Sequence, residues 1–247
     1  MSNKPPNPMS DHPENEIYQK TLQEYDPEVA LAEELVNHLL EGTRLLERTS
    51  TTEPGRGLTR LLVLSALDWL KCALDLAFRG HYVQALSLVR NGYELWLAGA
   101  YANCVPHEAA RLKRKNARWP EPSCMRRVVS ARIAKNREES EQLHYALNKM
   151  YQYLSKFTHP SFLSIGGLIA REDPRRIGPS FDRNRLLISV DKVYRTLILL
   201  NFLLAHAFPA LQETEWSRRS EELAQKVNGW RDRAVAEAEG GATETGD

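Results

Sequence analysis

The sequence predicts an all-α protein, a bundle of about seven to eight helices around an antiparallel core hairpin. Three observations carry that expectation. Apolar residues recur at three- and four-residue spacing in segment after segment. Several of those segments open on a helix-start signal, as at Pro106 and at Asp26-Pro27-Glu28, read as an N-cap, an N1 proline and a first-turn acid. Two of the longest are joined by Arg79-Gly80-His81 alone, a connection so short that they must lie antiparallel.

The first predicted helix runs from Asp26 to about Glu47, with Leu31, Leu35, Leu39 and Leu46 inward. A loop over Thr49–Gly57 precedes a second helix, about 58–78. Its apolar residues, among them Leu61, Leu62, Val63, Leu67, Trp69 and Leu70, cover well over half the circumference and make it central. Only Asp68, Lys71 and Asp75, with Ser65 and Cys72 beside them, form a polar strip. The third helix, about 82–104, carries an inward stripe of Tyr82, Leu86, Val89, Tyr93, Trp96 and Ala100. Shorter helices follow from Pro106 and over about 124–135, then a sixth over about 137–158 with Leu143, Leu147, Met150, Leu154 and Phe157 on one stripe. An irregular excursion over 166–183 leads to two more, about 184–207 and 213–238. Residues 1–25 and 239–247 lack periodic hydrophobes and are expected to be disordered tails around a single domain spanning 26–238.

The 247 residues are long enough to bury a core without disulfides or metals. Thirty-three Lys and Arg against 32 Asp and Glu exclude a wholesale polyanion binder, so any charge signal is local. Three widely separated cysteines make neither a disulfide framework nor a metal motif, which fits a reducing cytosol. The first 25 residues have no apolar run of signal-peptide length, and the apolar stretch Leu186–Phe208 is interrupted by Asp191, Lys192 and Arg195. A cytoplasmic protein without a membrane span is expected.

Two patterns point to a site. In the sixth helix His144, Asn148, Tyr151, Ser155, Thr158 and His159 occupy the arc between the lysines and the apolar stripe. Uncharged polar residues there suit a shielded cleft or a set of interhelical hydrogen bonds. In the third helix Arg90 and Glu94 stand at i, i+4 with Arg first, and Asp68 lies at the same height on the neighbouring helix, so an Asp68–Arg90–Glu94 cluster is expected. Separately, residues 111–137 hold ten basic residues and one acid, whereas residues 11–34 hold eight acids and one lysine. A basic surface including Arg114, Lys115, Arg118, Arg126 and Arg127, with Trp119 as a stacking platform, would attract a phosphate backbone; equally, the acidic N-terminal region could neutralise it.

Other motifs fail. Glu141-x-x-His144 has a di-iron half-site spacing, but two such motifs are needed and one is present. There is no Walker loop, GxGxxG, GxSxG or HExxH, and neither metal nor cofactor is expected. Arg137 and His144 fit the loose Arg-x(4–6)-His pattern of helical HEPN ribonucleases, a spacing that chance readily supplies in a chain this rich in arginine.

The segment His81-Tyr82-Val83-Gln84-Ala85-Leu86-Ser87-Leu88-Val89-Arg90 with Glu94 and Trp96, followed by Tyr151-x-x-x-Ser155-x-x-x-His159-Pro160-Ser161, resembles a group of bacterial helical proteins of undefined activity. These share an L-V-R-x-x-x-E helix and an S-x-x-x-H motif near a second helix end. The resemblance spans about residues 58–200, and an HEPN-like bundle is a more distant likeness. It brings no assigned substrate, cofactor or catalytic residue, and implies that Arg90, Glu94, Ser155 and His159 are the positions to watch.

Three functions follow as expectations. The first is a binding or stress- and defence-associated module with a polar cleft. The second is an HEPN-like, metal-independent ribonuclease or toxin, with His159 or His144 as general base and Arg90 or Arg137 stabilising phosphate charge. The third is a structural homo-oligomer. RNA or another phosphate-bearing ligand, and a second copy of the chain, are the partners these readings allow.

Overall fold

A computed structural model of the protein describes residues 13–46, 54–112, 114, 118–158 and 178–240. Among them are nine α-helices: α1 (Pro13–Glu24), α2 (Asp26–Leu45), α3 (Pro54–Phe78), α4 (Tyr82–Cys104), α5 (Pro106–Leu112), α6 (Pro122–Ile133), α7 (Arg137–Ser155), α8 (Arg183–Ala207) and α9 (Glu215–Gly240). The eight helices that periodicity predicts are all present. A 3-10 turn at Pro209–Leu211 joins α8 to α9.

The α3–α4 hairpin is the centre of the bundle, and α8 packs against both of its helices. Gly80 closes the hairpin at φ +84°, where a Cβ would also lie 2.7 Å from the Ser180 carbonyl oxygen. Val89, Tyr93 and Leu97 of α4 meet Val63, Ala66 and Leu70 of α3 and Leu197 and Leu200 of α8 in one fully enclosed cluster. α2 and α9 cover α8, α5 covers α3, and α6 and α7 lie on α4. The predicted α4 stripe is buried throughout.

Three expectations are corrected. Residues 13–24 are a helix, not a disordered tail: Thr21 is buried, Tyr18 packs on the core under the Arg79 guanidinium (4.6 Å), and Glu14 pairs with His81 at 3.1 Å. Single tertiary contacts, not an apolar period, hold it. Asp26 does not cap α2, whose cap position is Tyr25 with no side-chain hydrogen bond. The apolar arc of α3 is not wholly inward: Leu61 and Trp69 are 62% and 41% exposed, because Ser65, Asp68, Trp69 and Cys72 form the outward stripe. Residues 1–12, 241–247 and most of the 166–183 excursion lie outside the described residues.

Candidate functional site

α7 presents two faces to two neighbourhoods. Steps of about 100° per residue set His144, Asn148, Tyr151 and Ser155 on one side, and Leu143, Met150 and Tyr153 on another. Asn136 starts the helix by accepting a hydrogen bond from the Glu139 amide at 2.9 Å, with Glu138 and Glu139 in the first turn. α4 is anchored to α7 where the Tyr93 hydroxyl donates to the Leu147 carbonyl at 3.0 Å and Ser87 donates to the Phe157 carbonyl at 3.0 Å. Burial pushes the Tyr93 hydroxyl pKa up, so it stays a neutral donor.

Between α4, α6 and α7 this scaffold assembles a polar cluster. Arg90 donates through Nε to Glu94 Oε1 at 2.9 Å, through Nη2 to the Tyr151 hydroxyl at 3.0 Å, and through Nη1 to the Thr158 hydroxyl. Its guanidinium lies 4.9 Å from the centre of the Tyr151 ring. From α6, Arg126 brings a second guanidinium to within 4.2 Å of the same ring and donates through Nε to Asn148 Oδ1 at 2.6 Å. Asn148 Nδ2 lies 2.9 Å from His144 Nε2.

The donors and acceptors of this chain can be assigned. An arginine Nε only donates, so the Asn148 oxygen must face Arg126 and its NH2 must face His144. His144 Nε2 then accepts, and in the neutral ring the proton sits on Nδ1. Both atoms left over are donors: Arg126 Nη1 and His144 Nδ1 are buried and have no hydrogen-bond acceptor among the described residues. Arg126 as a whole is only 6% exposed. A buried charged donor without an acceptor is costly, so this geometry favours an added anion. Arg90 pairs with the Glu94 carboxylate, whereas the hydrogen bond made by Arg126 runs to the neutral Asn148 amide.

The expected site residues separate as follows. Arg90, Glu94, Tyr151 and His144 belong to the cluster. Ser155 donates to the Tyr151 carbonyl one turn back at 2.7 Å and is engaged within its own helix. His159 and Lys115 lie outside the described residues. Asp68 is exposed and is not part of the Arg90 cluster: the polar strip of α3 faces solvent, whereas Arg90 turns towards α7. Arg114, Arg118 and Arg127 are exposed, as a nucleic-acid surface requires, but Arg126 is not. It shares the inward side of α6 with Met125, Val129 and Ser130, and the spacing Arg126–Ser130 was the available signal. Arg137 is 92% exposed at its side chain and pairs with Glu141 at 2.8 Å, one end of the helix away from the Asn148–Tyr151 region. The acidic N-terminal region does not neutralise the basic segment among the described residues; Glu34 instead pairs with Arg219 and with Lys226 at 2.9 Å.

Sequence reasoning also missed an open groove of about 800 Å3 on the opposite side of α7, bounded by α8 and α9. Its walls include Leu143 and Met150, which periodicity placed on the apolar stripe of the sixth predicted helix, together with Ile198 and Phe202.

Comparison with protein-family models, curated proteins and solved structures returns no significant match to this chain.

Proposed function

We propose that the protein is a binding module whose ligand offers phosphate, or a comparable oxyanion, to the Arg90–Tyr151–Arg126 cluster. The observation that carries this reading is the pair of buried donors without acceptors, Arg126 Nη1 and His144 Nδ1, on either side of Asn148. Phosphate oxygens accept several hydrogen bonds at once and match the planar guanidinium fork. Tyr151 supports the reading as well, because its ring holds two cations near one another while supplying no negative charge. RNA is one ligand of this chemistry, with exposed Arg118 and Arg127 available to its backbone.

Calorimetric titration of the full chain with pyrophosphate and with a short single-stranded RNA tests the reading. Saturable binding weakened at least tenfold by Arg126→Met, but less than twofold by the exposed neighbour change Arg127→Met, supports it. A charged hydrogen bond contributes about 1.5–3 kcal/mol, or roughly tenfold to hundredfold in affinity. Absence of binding to either probe at millimolar concentration overturns it in favour of a purely structural cluster. Tighter binding of RNA than of pyrophosphate, with a steep salt dependence, identifies a nucleic-acid backbone as the source of the phosphate.

A further inference from the structure

Arg126, Asn148 and His144 form one line of hydrogen bonds whose direction is set at a single end. The Arg126 guanidinium is held in place, since the residue is 6% exposed and its charge lies 4.2 Å from the centre of the Tyr151 ring. Its Nε meets Asn148 Oδ1 at 2.6 Å and can only donate. The Asn148 amide is thereby oriented, because turning it over would bring its NH2 against the guanidinium N–H. Asn148 Nδ2 is left facing His144 Nε2 at 2.9 Å. A proton on that ring nitrogen would point at another donor, so the imidazole carries its proton on Nδ1.

The Nδ1–H form is the less populated tautomer of a free histidine side chain, and here its proton meets no acceptor among the described residues. What favours that form is the amide on the other side of the ring. Glu94, the carboxylate of the cluster, accepts from Arg90 Nε at 2.9 Å and reaches neither His144 Nδ1 nor Arg126 Nη1. A buried N–H aimed at no acceptor costs stability until a ligand completes it. His144, Asn148 and Tyr151 are half-buried, so the cluster has an edge that a ligand can approach.

We propose that Asn148 is the positioning residue of the oxyanion site: it transmits the donor polarity of Arg126 to His144 and fixes the imidazole as an Nδ1–H donor towards the ligand. This rests on the phosphate reading above, and adds how a residue of α6 sets the chemistry of a group on α7. Donors fixed in advance need no reorganisation when the anion arrives. Arg126 then acts twice, through its own Nη1 and, by way of Asn148, through His144. A side chain at 148 that only accepts reverses the line. A carboxylate there accepts from Arg126 Nε and equally from His144 Nε2, which leaves a lone pair on Nδ1 facing the anion.

The test is 15N nuclear magnetic resonance of the His144 imidazole in the full chain without ligand, at about pH 9, above the ordinary titration midpoint of histidine at about 6.5. The unaltered protein is expected to show the Nδ1–H form. Asn148→Asp and Arg126→Met are each expected to move the ring to the Nε2–H form, whereas the exposed neighbour change Arg127→Met leaves it as it is. Circular dichroism verifies folding, and Asn148→Asp, nearly identical in shape, decides the matter if Arg126→Met does not fold. Calorimetry at the same pH is expected to show pyrophosphate weakened at least tenfold by Asn148→Asp. An Nε2–H ring in an unaltered protein that binds pyrophosphate overturns this proposal and leaves the phosphate reading standing. Persistence of the Nδ1–H form in Asn148→Asp overturns it as well. An Nδ1–H ring in a protein that binds no pyrophosphate overturns both, because the positioned donor then has no anion to meet.

Discussion

The Arg126 guanidinium stands 4.2 Å from the centre of the Tyr151 ring, and among the described residues only its Nε finds an acceptor, Asn148 Oδ1 at 2.6 Å. A group kept for stability alone would not leave Nη1 buried and unmatched. Replacing Arg126 by Met, similar in length and apolar, is therefore expected to change unfolding free energy by no more than about 1 kcal/mol in either direction. Asn148→Leu removes the acceptor and keeps the charge, so it is expected to cost about 3 kcal/mol or more. Urea denaturation of the two variants measures this ordering; the reverse ordering would mean that Arg126 is primarily a structural residue.

Tyr151 contributes a hydroxyl and a ring, and the two can be separated. Tyr151→Phe removes the acceptor for Arg90 Nη2 and is expected to cost about 1 kcal/mol. Tyr151→Leu also removes the surface beneath both guanidinium groups and is expected to cost about 1–2 kcal/mol more. Equal stability of the two variants in chemical denaturation would show that the ring contributes nothing.

At the opposite side of the bundle, α2 and α9 touch through Gly42 and Trp216. A Cβ at Gly42 would fall 2.6 Å from the indole ring, which is buried and held by a 2.9 Å bond from its Nε1 to the His38 carbonyl. Gly42→Ala is expected to destabilise by about 1–3 kcal/mol through overpacking. Gly229→Ala, whose new methyl would meet only the flexible end of Arg233 at 3.7 Å, is expected to stabilise by about 0.5–1 kcal/mol through helix propensity. Thermal melts of the two variants shifted in the same direction would contradict this contact geometry.

His38 gives the fold an acid sensitivity. Its ring stacks on Trp216 at 4.6 Å, its Nε2 is 2.7 Å from Ser220 Oγ, and burial lowers its pKa from 6.5 to about 4. The unfolded chain takes up this proton first as pH falls, so stability is full above pH 6.5 and declines between 6.5 and about 4. The decline attributable to this residue is at most about 3 kcal/mol. His38→Gln is expected to flatten the Tm profile over that window, and parallel profiles for the two proteins would remove His38 as the cause.

Periodicity made eight helices and the core hairpin legible because each of those helices buries an apolar stripe against a neighbour. It could not show α1, whose attachment rests on single contacts such as Glu14–His81 and Tyr18–Arg79. The polar arc of α7 was legible as a face, and Arg90 and Glu94 as a pair, because both are local spacings. What lies opposite them was not. Arg126 reads as one more cation in a basic run, and its inward aim depends on how α6 is rotated against α4 and α7. For the same reason Leu143 and Met150 read as core, although the helices opposite them stand far enough apart to leave a groove.

The central claim is most directly tested by nuclear magnetic resonance of the 15N-labelled protein, following the Arg126 Nη and His144 Nδ1 signals as pyrophosphate is added. The account predicts that both move together and saturate with a single dissociation constant, while the exposed Arg127 side chain stays unchanged. Signals that stay still throughout, or that move only in step with Arg127 as nonspecific screening would cause, would contradict it.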